Sequence, residues 1–180
     1  MMDRVDRPVE QLIDEILVMD CQSGSTKALE KLVSRWQKRL WGYAYHLTGN
    51  PEAAWDITQE SWLGIIKGLR RLHDPARFRS WAYRIVTNKA SDWIRKSKAS
   101  KHIRIEDIQD QGVQEQKDIG IEELLGKLDM RKRSILSLYH LEQCSIREIS
   151  IVLNIPKGTV KSRLHIARKE LKELWRQYVG

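Results

Sequence analysis

Apolar side chains recur along this chain at helical spacing, and no stretch shows the strict alternation of a half-buried strand. Val9, Leu12, Ile13, Ile16 and Leu17 fall at i, i+3, i+4, i+7 and i+8, which predicts an amphipathic helix over 9–20. Ser23-Gly24-Ser25 breaks it. A second helix is predicted over 26–47, with Leu29, Leu32, Val33, Trp36, Leu40, Tyr43 and Leu47 on its inner face and Gly49 as its stop. Asn50-Pro51-Glu52 supplies the N-cap, first helical residue and first-turn acid of a third helix, which carries Trp55, Trp62, Ile65, Ile66 and Leu69. Asp74-Pro75 repeats that start signal ahead of a fourth helix over 76–97.

The pattern lapses over 99–118, where only Ile103, Ile105, Ile108 and Val113 interrupt a polar run. A structureless stretch of that length does not belong inside one small domain, so it predicts a flexible linker. Helical spacing returns with Ile121, Leu124, Leu125 and Leu128, then Ile135, Leu136, Leu138 and Leu141. Ser145-Ile146-Arg147-Glu148 has the form of a capping box and opens a short helix with Ile149, Val152 and Leu153. Asn154-Ile155 makes a tight turn, and Pro156-Lys157-Gly158-Thr159 starts a longer helix striped by Val160, Leu164, Ala167, Leu171 and Leu174. The expected fold is all-α: two small helical domains, 1–98 and 119–180, joined by the linker 99–118, the second domain a helix-turn-helix.

Composition narrows the classes. The chain has 180 residues, 41% hydrophobic and 31% charged, which suits globular domains. No apolar run reaches the ~20 residues that span a bilayer, and the charged N-terminus lacks a signal core, so no membrane insertion and a cytoplasmic location are expected. Cys21 and Cys144 lie too far apart for a CxxC site, and the five histidines lack ligand spacing, so no metal and no cofactor is expected. Phosphate-loop, dinucleotide and nucleophile-elbow motifs are absent, which points away from an enzyme. The net charge is +8, and it is unevenly spread: 1–98 and 119–180 each carry +5, and 99–118 carries −2. Two basic blocks of this kind attract polyanions, nucleic acid above all.

Both blocks contain candidate chemistry. In the C-terminal one, Lys157, Lys161, Ser162 and His165 gather on the first half of the second helix, where a recognition helix meets base edges in the major groove. In the N-terminal one, basic and aromatic residues interleave from Arg77 to Lys96, which suits unstacked single-stranded DNA. Trp81, Ile85 and Val86 also fall at helical spacing there, so a core face fits the same residues equally well.

Three segments resemble extracytoplasmic-function (ECF) sigma factors of the sigma-70 family. Asp56-Ile57-Thr58-Gln59-Glu60-Ser61-Trp62 is similar to their D-x-x-Q-E-x-[FW] segment, and Trp81 to Arg95 to W-x-x-x-I-x-x-N-x-x-x-D-x-x-R. Pro156 to Arg163 is similar to P-x-G-T-V-[KR]-S-R. The resemblance implies a transcription initiation factor without catalysis of its own, which binds core RNA polymerase and directs it to promoters it helps to melt. It implies that Asp56, Gln59, Glu60 and Trp62, with Ile57 in support, meet the clamp helices of the largest polymerase subunit. It further implies that Asn88 sits at the pocket of a flipped −10 base, with Arg77, Arg79, Trp81, Arg84 and Lys89 around the melted strand. Lys161, Ser162 and His165 would face bases of the −35 duplex, with Lys157, Thr159, Arg163 and Arg168 on phosphates. Ile166 departs from the Arg that many relatives have. An anti-sigma factor is left open as a further partner. The rival from another class is a two-domain helix-turn-helix regulator that does not bind core polymerase. A metal enzyme on Asp56 and Glu60 lacks a third ligand nearby.

Overall fold

The computed structural model describes residues 9–103 and 121–179. Its elements are α1 (Val9–Gln22), α2 (Thr26–Thr48), α3 (Pro51–Gly68), α4 (Phe78–Ile103), α5 (Ile121–Lys127), α6 (Met130–Leu136), α7 (Ile146–Leu153) and α8 (Lys157–Val179). Short 3-10 turns at Leu69–Arg71 and Pro75–Arg77 link α3 to α4, and a π-turn at Ser137–Leu141 follows α6. No strand occurs among the described residues.

Helix boundaries follow the capping chemistry. The Ser25 hydroxyl accepts from the Ala28 N–H, and the Asn50 side chain from the Ala53 N–H. Gly49 closes α2 in the left-handed region at φ 65°, a conformation that favours glycine. Ser145 and Glu148 complete a reciprocal capping box at α7. α4 runs past the predicted boundary at 97, because Lys96 to Lys101 contains no Gly or Pro and several good helix formers. The rest of the predicted linker, 104–118, lies outside the described residues.

The N-terminal half packs around an aromatic cluster. Trp36 of α2 meets Phe78 edge-on at 5.3 Å and Tyr83 at 5.7 Å, and Tyr43 meets Tyr83 at 5.2 Å. All four rings are fully buried. The Tyr43 hydroxyl and Thr87 Oγ1 share a hydrogen bond of 2.9 Å, so the phenol is satisfied inside the core.

α1 differs from the sequence expectation. Its inner face is Asp14, Leu17 and Val18, whereas Val9, Leu12, Ile13, Ile16 and Met19 point outward. Polar anchors set that orientation: Arg35 of α2 holds Asp14 at 2.9 Å, and the Gln22 amide donates to the Leu69 and Leu72 carbonyls at 3.0 and 2.8 Å.

The halves touch along α4 and α7, and α5 and α6 lean on α2. The Arg133 guanidinium donates to the Leu47 carbonyl at 2.6 Å and to the Gly126 and Leu128 carbonyls of its own half. The Tyr83 hydroxyl donates to the Glu142 carboxylate, and Arg79 donates to the Glu142 carbonyl. Glu142 itself is 8% exposed.

A close approach fixes one glycine. A Cβ on Gly68 would stand 2.7 Å from the Trp81 ring, inside any tolerable contact. Gly68→Ala is therefore expected to destabilise the chain by about 1–3 kcal/mol through overpacking. Differential scanning calorimetry checks this, and an unchanged melting temperature would mean that Trp81 moves aside freely.

Candidate nucleic-acid and protein interfaces

α3 is anchored by Ile57, Ser61, Trp62 and Ile65, all buried. Its opposite face is exposed and carries Asp56, Gln59 and Glu60. The structure thus splits the expected polymerase set. Ile57 and Trp62 are core residues, because they repeat at the spacing that seats the helix on its neighbours. On the outward face, Trp55, Leu63 and Ile66 are 48%, 60% and 45% exposed. The sequence pattern puts Trp55 and Ile66 on this helix without assigning them a face and leaves Leu63 unremarked. The readable signal was the doubled apolar pattern: α3 has apolar residues on both sides, more than one core face needs. Glu60 also receives the Lys89 ammonium of α4 at 2.8 Å, which ties the acidic segment to α4.

The candidate −10 residues follow α4 and the turn before it. Arg77 pairs with Asp74 at 3.2 Å on the surface. Arg79 is engaged across the junction, with the Glu142 carbonyl and, at 3.7 Å, with the Glu148 carboxylate. Trp81 is half-buried between Gly68 and Phe78. Arg84 and Asn88 are exposed one helical turn apart. Asn88 shares a cleft of about 350 Å³ with Arg131 and Arg163 of the other half. Asp92 and Arg95 pair at 2.8 Å on the last exposed turns.

α7 and α8 form the helix-turn-helix. Asn154 turns the chain through the left-handed region at φ 52°, and the Ser150 hydroxyl donates to the Ile155 carbonyl at 2.6 Å. Val160, Leu164 and Ala167 bury one side of α8. This leaves Lys157, Lys161, Ser162, His165 and Ile166 on the free side, with Thr159 and Arg163 half-buried at its edge. Arg168 is held back from that face: its Nε donates to His140 Nε2 at 3.1 Å, and its guanidinium lies 4.8 Å from the Tyr139 ring centre. Burial, followed by the Arg168 charge, lowers the His140 pKa and keeps the imidazole neutral as an acceptor.

Electrostatically, the junction between the halves is the most perturbed region. Burial raises the pKa of Glu142 above its ordinary value, against the opposing hydrogen bond from Tyr83 and the charges of Arg39 and Arg79. Burial also pushes the neighbouring Cys144 thiol up to about 12, so it is inert there. Among the described residues, no group of three or more His, Cys, Asp or Glu could hold a metal ion, and no helix is long and apolar enough to cross a membrane.

Comparison with known proteins fits this geometry. Residues 32–100 match the family model "Sigma-70 region 2" and residues 119–171 match "Sigma-70, region 4", together about two thirds of the chain. The chain is 27% identical over 174 residues to the ECF RNA polymerase sigma factor SigW of Bacillus subtilis, covering 87% of this chain and 93% of that one. It is 26% identical over 181 residues to the ECF RNA polymerase sigma-E factor of Haemophilus influenzae, covering 91% and 95%. CnrH, solved in complex with the cytosolic domain of CnrY, superposes with a TM-score of 0.72 at 26% identity, over 92% of this chain and 98% of that one. The sigma factor RpoE of Bartonella quintana, solved with the anti-sigma factor NepR, shares the fold at a TM-score of 0.70 and 18% identity, over 84% and 98%.

The junction yields a pH prediction. An acid whose pKa rises on packing holds its proton more tightly in the packed chain than in the unfolded one. Its contribution to stability is full below the ordinary carboxylate range and is lost as pH rises through the raised value. Glu142→Gln keeps an acceptor for Tyr83 and removes the buried charge. The variant is expected to lose that slope and to melt at neutral pH no lower than the wild type. Thermal melts between about pH 4 and about pH 8 test this, and an unaltered slope assigns the dependence to other groups.

Proposed function

Since the chain belongs to the extracytoplasmic-function group of the sigma-70 family, we propose a division of its sigma-factor work among the three surfaces described above. As a sigma factor it binds core RNA polymerase, directs it to promoters through −35 and −10 elements and promotes melting of the DNA. It has no catalytic task of its own, since phosphodiester synthesis belongs to the polymerase, and it works in the cytoplasm where that enzyme is. The rival reading, a regulator that ignores polymerase, is not favoured, because the N-terminal half matches the region-2 family description.

In this division the outer face of α3 docks on the clamp helices of the largest polymerase subunit. Asp56, Gln59 and Glu60 supply the polar contacts, and Trp55, Leu63 and Ile66 the apolar ones, while Ile57 and Trp62 hold the face in place from beneath. An exposed face that mixes large apolar and acidic side chains is what a protein interface requires and what a solvated helix avoids. That face is the observation that carries the proposal. α4 captures the melted −10 strand, with the Asn88 amide at a base edge and Arg77, Arg79 and Arg84 on phosphates. α8 enters the −35 major groove with Lys161, Ser162, His165 and Ile166 toward bases, Ile166 suiting a thymine methyl. Lys157, Thr159, Arg163 and Arg168 bind phosphates once Arg168 leaves His140.

The units over 1–98 and 119–180 have to part for this work. Arg79 cannot hold a phosphate while it holds Glu142 and Glu148, and a strand laid over Asn88 would meet Arg131 and Arg163 of the other half across the same cleft. A protein regulator is a further partner, by extension from the CnrH complex.

Run-off transcription with purified core polymerase tests the reading. Gln59→Ala combined with Glu60→Lys is expected to abolish core binding in pull-down, with helix content unchanged by circular dichroism. Undiminished pull-down would remove the α3 face from the interface. Asn88→Ala is expected to lower open complex on duplex promoter roughly ten- to hundredfold, for the loss of one amide partner worth about 1–3 kcal/mol. Premelted bubble template should restore most activity. Wild-type permanganate reactivity on the duplex would make Asn88 a structural residue.

A further inference from the structure

α1 carries a second pattern on its outer side. Val9, Leu12, Ile16 and Met19 follow one another at spacings of three, four and three, which are the a and d positions of two heptads. All four are exposed, by 45–74%, and Ile13 beside them is exposed as well. The residues that seat α1 on the core, Asp14, Leu17 and Val18, take the f, b and c positions of the same heptads. The seam therefore faces away from the core. Its direction is fixed by the Asp14–Arg35 pair and by the Gln22 amide on the Leu69 and Leu72 carbonyls.

A helix with one face in the core and a second apolar stripe outside has more apolar surface than solvation tolerates. A heptad seam is matched by another helix laid alongside it, with knobs set into holes. α1 is already folded and oriented on its own domain, so docking has to order only the partner's helix.

Charge selects that partner. α1 holds four acids, Glu10, Asp14, Glu15 and Asp20, and no base, in a chain whose net charge is +8. Asp14 is committed to Arg35. Glu15 stands at a g position and Asp20 at an e position, the two positions that flank a seam and set partner choice. A second copy of this chain is disfavoured in both orientations. Parallel pairing brings g of one heptad against e of the next, which sets Glu15 against Asp20. Antiparallel pairing sets Glu15 against Glu15 and Asp20 against Asp20. Lys or Arg at the flanking positions of a different helix turns the same contacts into attractions.

We infer that the outer face of α1 is the docking site for a basic amphipathic helix of a partner protein, with apolar a and d residues and Lys or Arg at e and g. The face contains none of the residues assigned above to polymerase or DNA, and α1 precedes the segment that matches Sigma-70 region 2. In one respect the inference rests on the sigma-factor reading: a partner seated there travels to the promoter with the chain and leaves its working surfaces free.

The test uses the full chain and two synthetic three-heptad peptides, with Leu at a and d and either Lys or Glu at e and g. The net charge of the chain favours the Glu peptide, so a preference for the Lys peptide is local to α1. By fluorescence anisotropy the wild type is expected to bind the Lys peptide about tenfold more tightly than the Glu peptide, since two flanking contacts change from repulsion to attraction. Glu15→Lys with Asp20→Lys should reverse that order. Ile16→Ser should weaken both peptides about tenfold through lost apolar burial, with helix content and run-off transcription by core polymerase at the wild-type level. Equal affinity for the two peptides, or an order that the charge swap leaves unmoved, overturns the inference. So does a wild-type dimer in analytical ultracentrifugation that Ile16→Ser dissolves, which would give the face to a second copy. Loss of run-off by folded Ile16→Ser also overturns it, by giving the face to polymerase. Absence of run-off by the wild type would instead defeat the sigma-factor reading, and the peptide preference would still judge α1.

Discussion

One carboxylate organises the meeting of the two halves. Glu142 projects from the end of the π-turn after α6 into the junction, where it is nearly sealed from water. A buried carboxylate is costly unless it is hydrogen-bonded and faced by positive charge, and it finds both only in the N-terminal half. Tyr83 supplies the hydroxyl, and Arg79 and Arg39 supply the charge. Tyr83 is itself fixed by Trp36 and Tyr43, so the contact is wired into the aromatic core of the first domain. The same group is readily rehydrated when the halves separate. A junction of this kind suits a reversible clasp better than a permanent one, since water replaces what the partners gave.

Apolar burial seats each half, while arginines meet across the junction. Val160, Leu164 and Ala167 fix α8 within the C-terminal half, and Ile57, Trp62 and Ile65 fix α3 within the N-terminal half. Both helices therefore present a free face whose direction is set by packing on the other side. The candidate −35 face of α8 is open to solvent, whereas on α4 Arg79 is engaged by the other half and Asn88, though exposed, shares a cleft with it.

Much of this was legible in the residues. Capping signals at Asn50-Pro51 and Ser145–Glu148 placed helix starts correctly, because caps are local hydrogen-bond chemistry. The stripe of α8 gave the direction of its free face. Other features depended on long-range partners. The outward apolar face of α1 could not be read, because Arg35 and the carbonyls of Leu69 and Leu72, which decide its rotation, are remote in sequence. Trp55 and Trp62 look alike in a one-dimensional pattern, and only the packing of α3 sends one outward and the other in. Arg131 and Glu142 carry no motif at all. Their roles arise from docking of two units that the sequence presents as separate.

The central claim is that the two DNA-reading units lie face to face in the free chain and come apart on the promoter. The most direct measurement is double electron–electron resonance between spin labels at the exposed positions Lys38 and Lys172, with Cys21 and Cys144 replaced. The free protein should give one narrow, short distance distribution. Addition of core polymerase and promoter DNA should move it to a longer distance, and Glu142→Lys should broaden the free-state distribution toward that value. A free protein with the same long distance as the promoter complex would contradict the account.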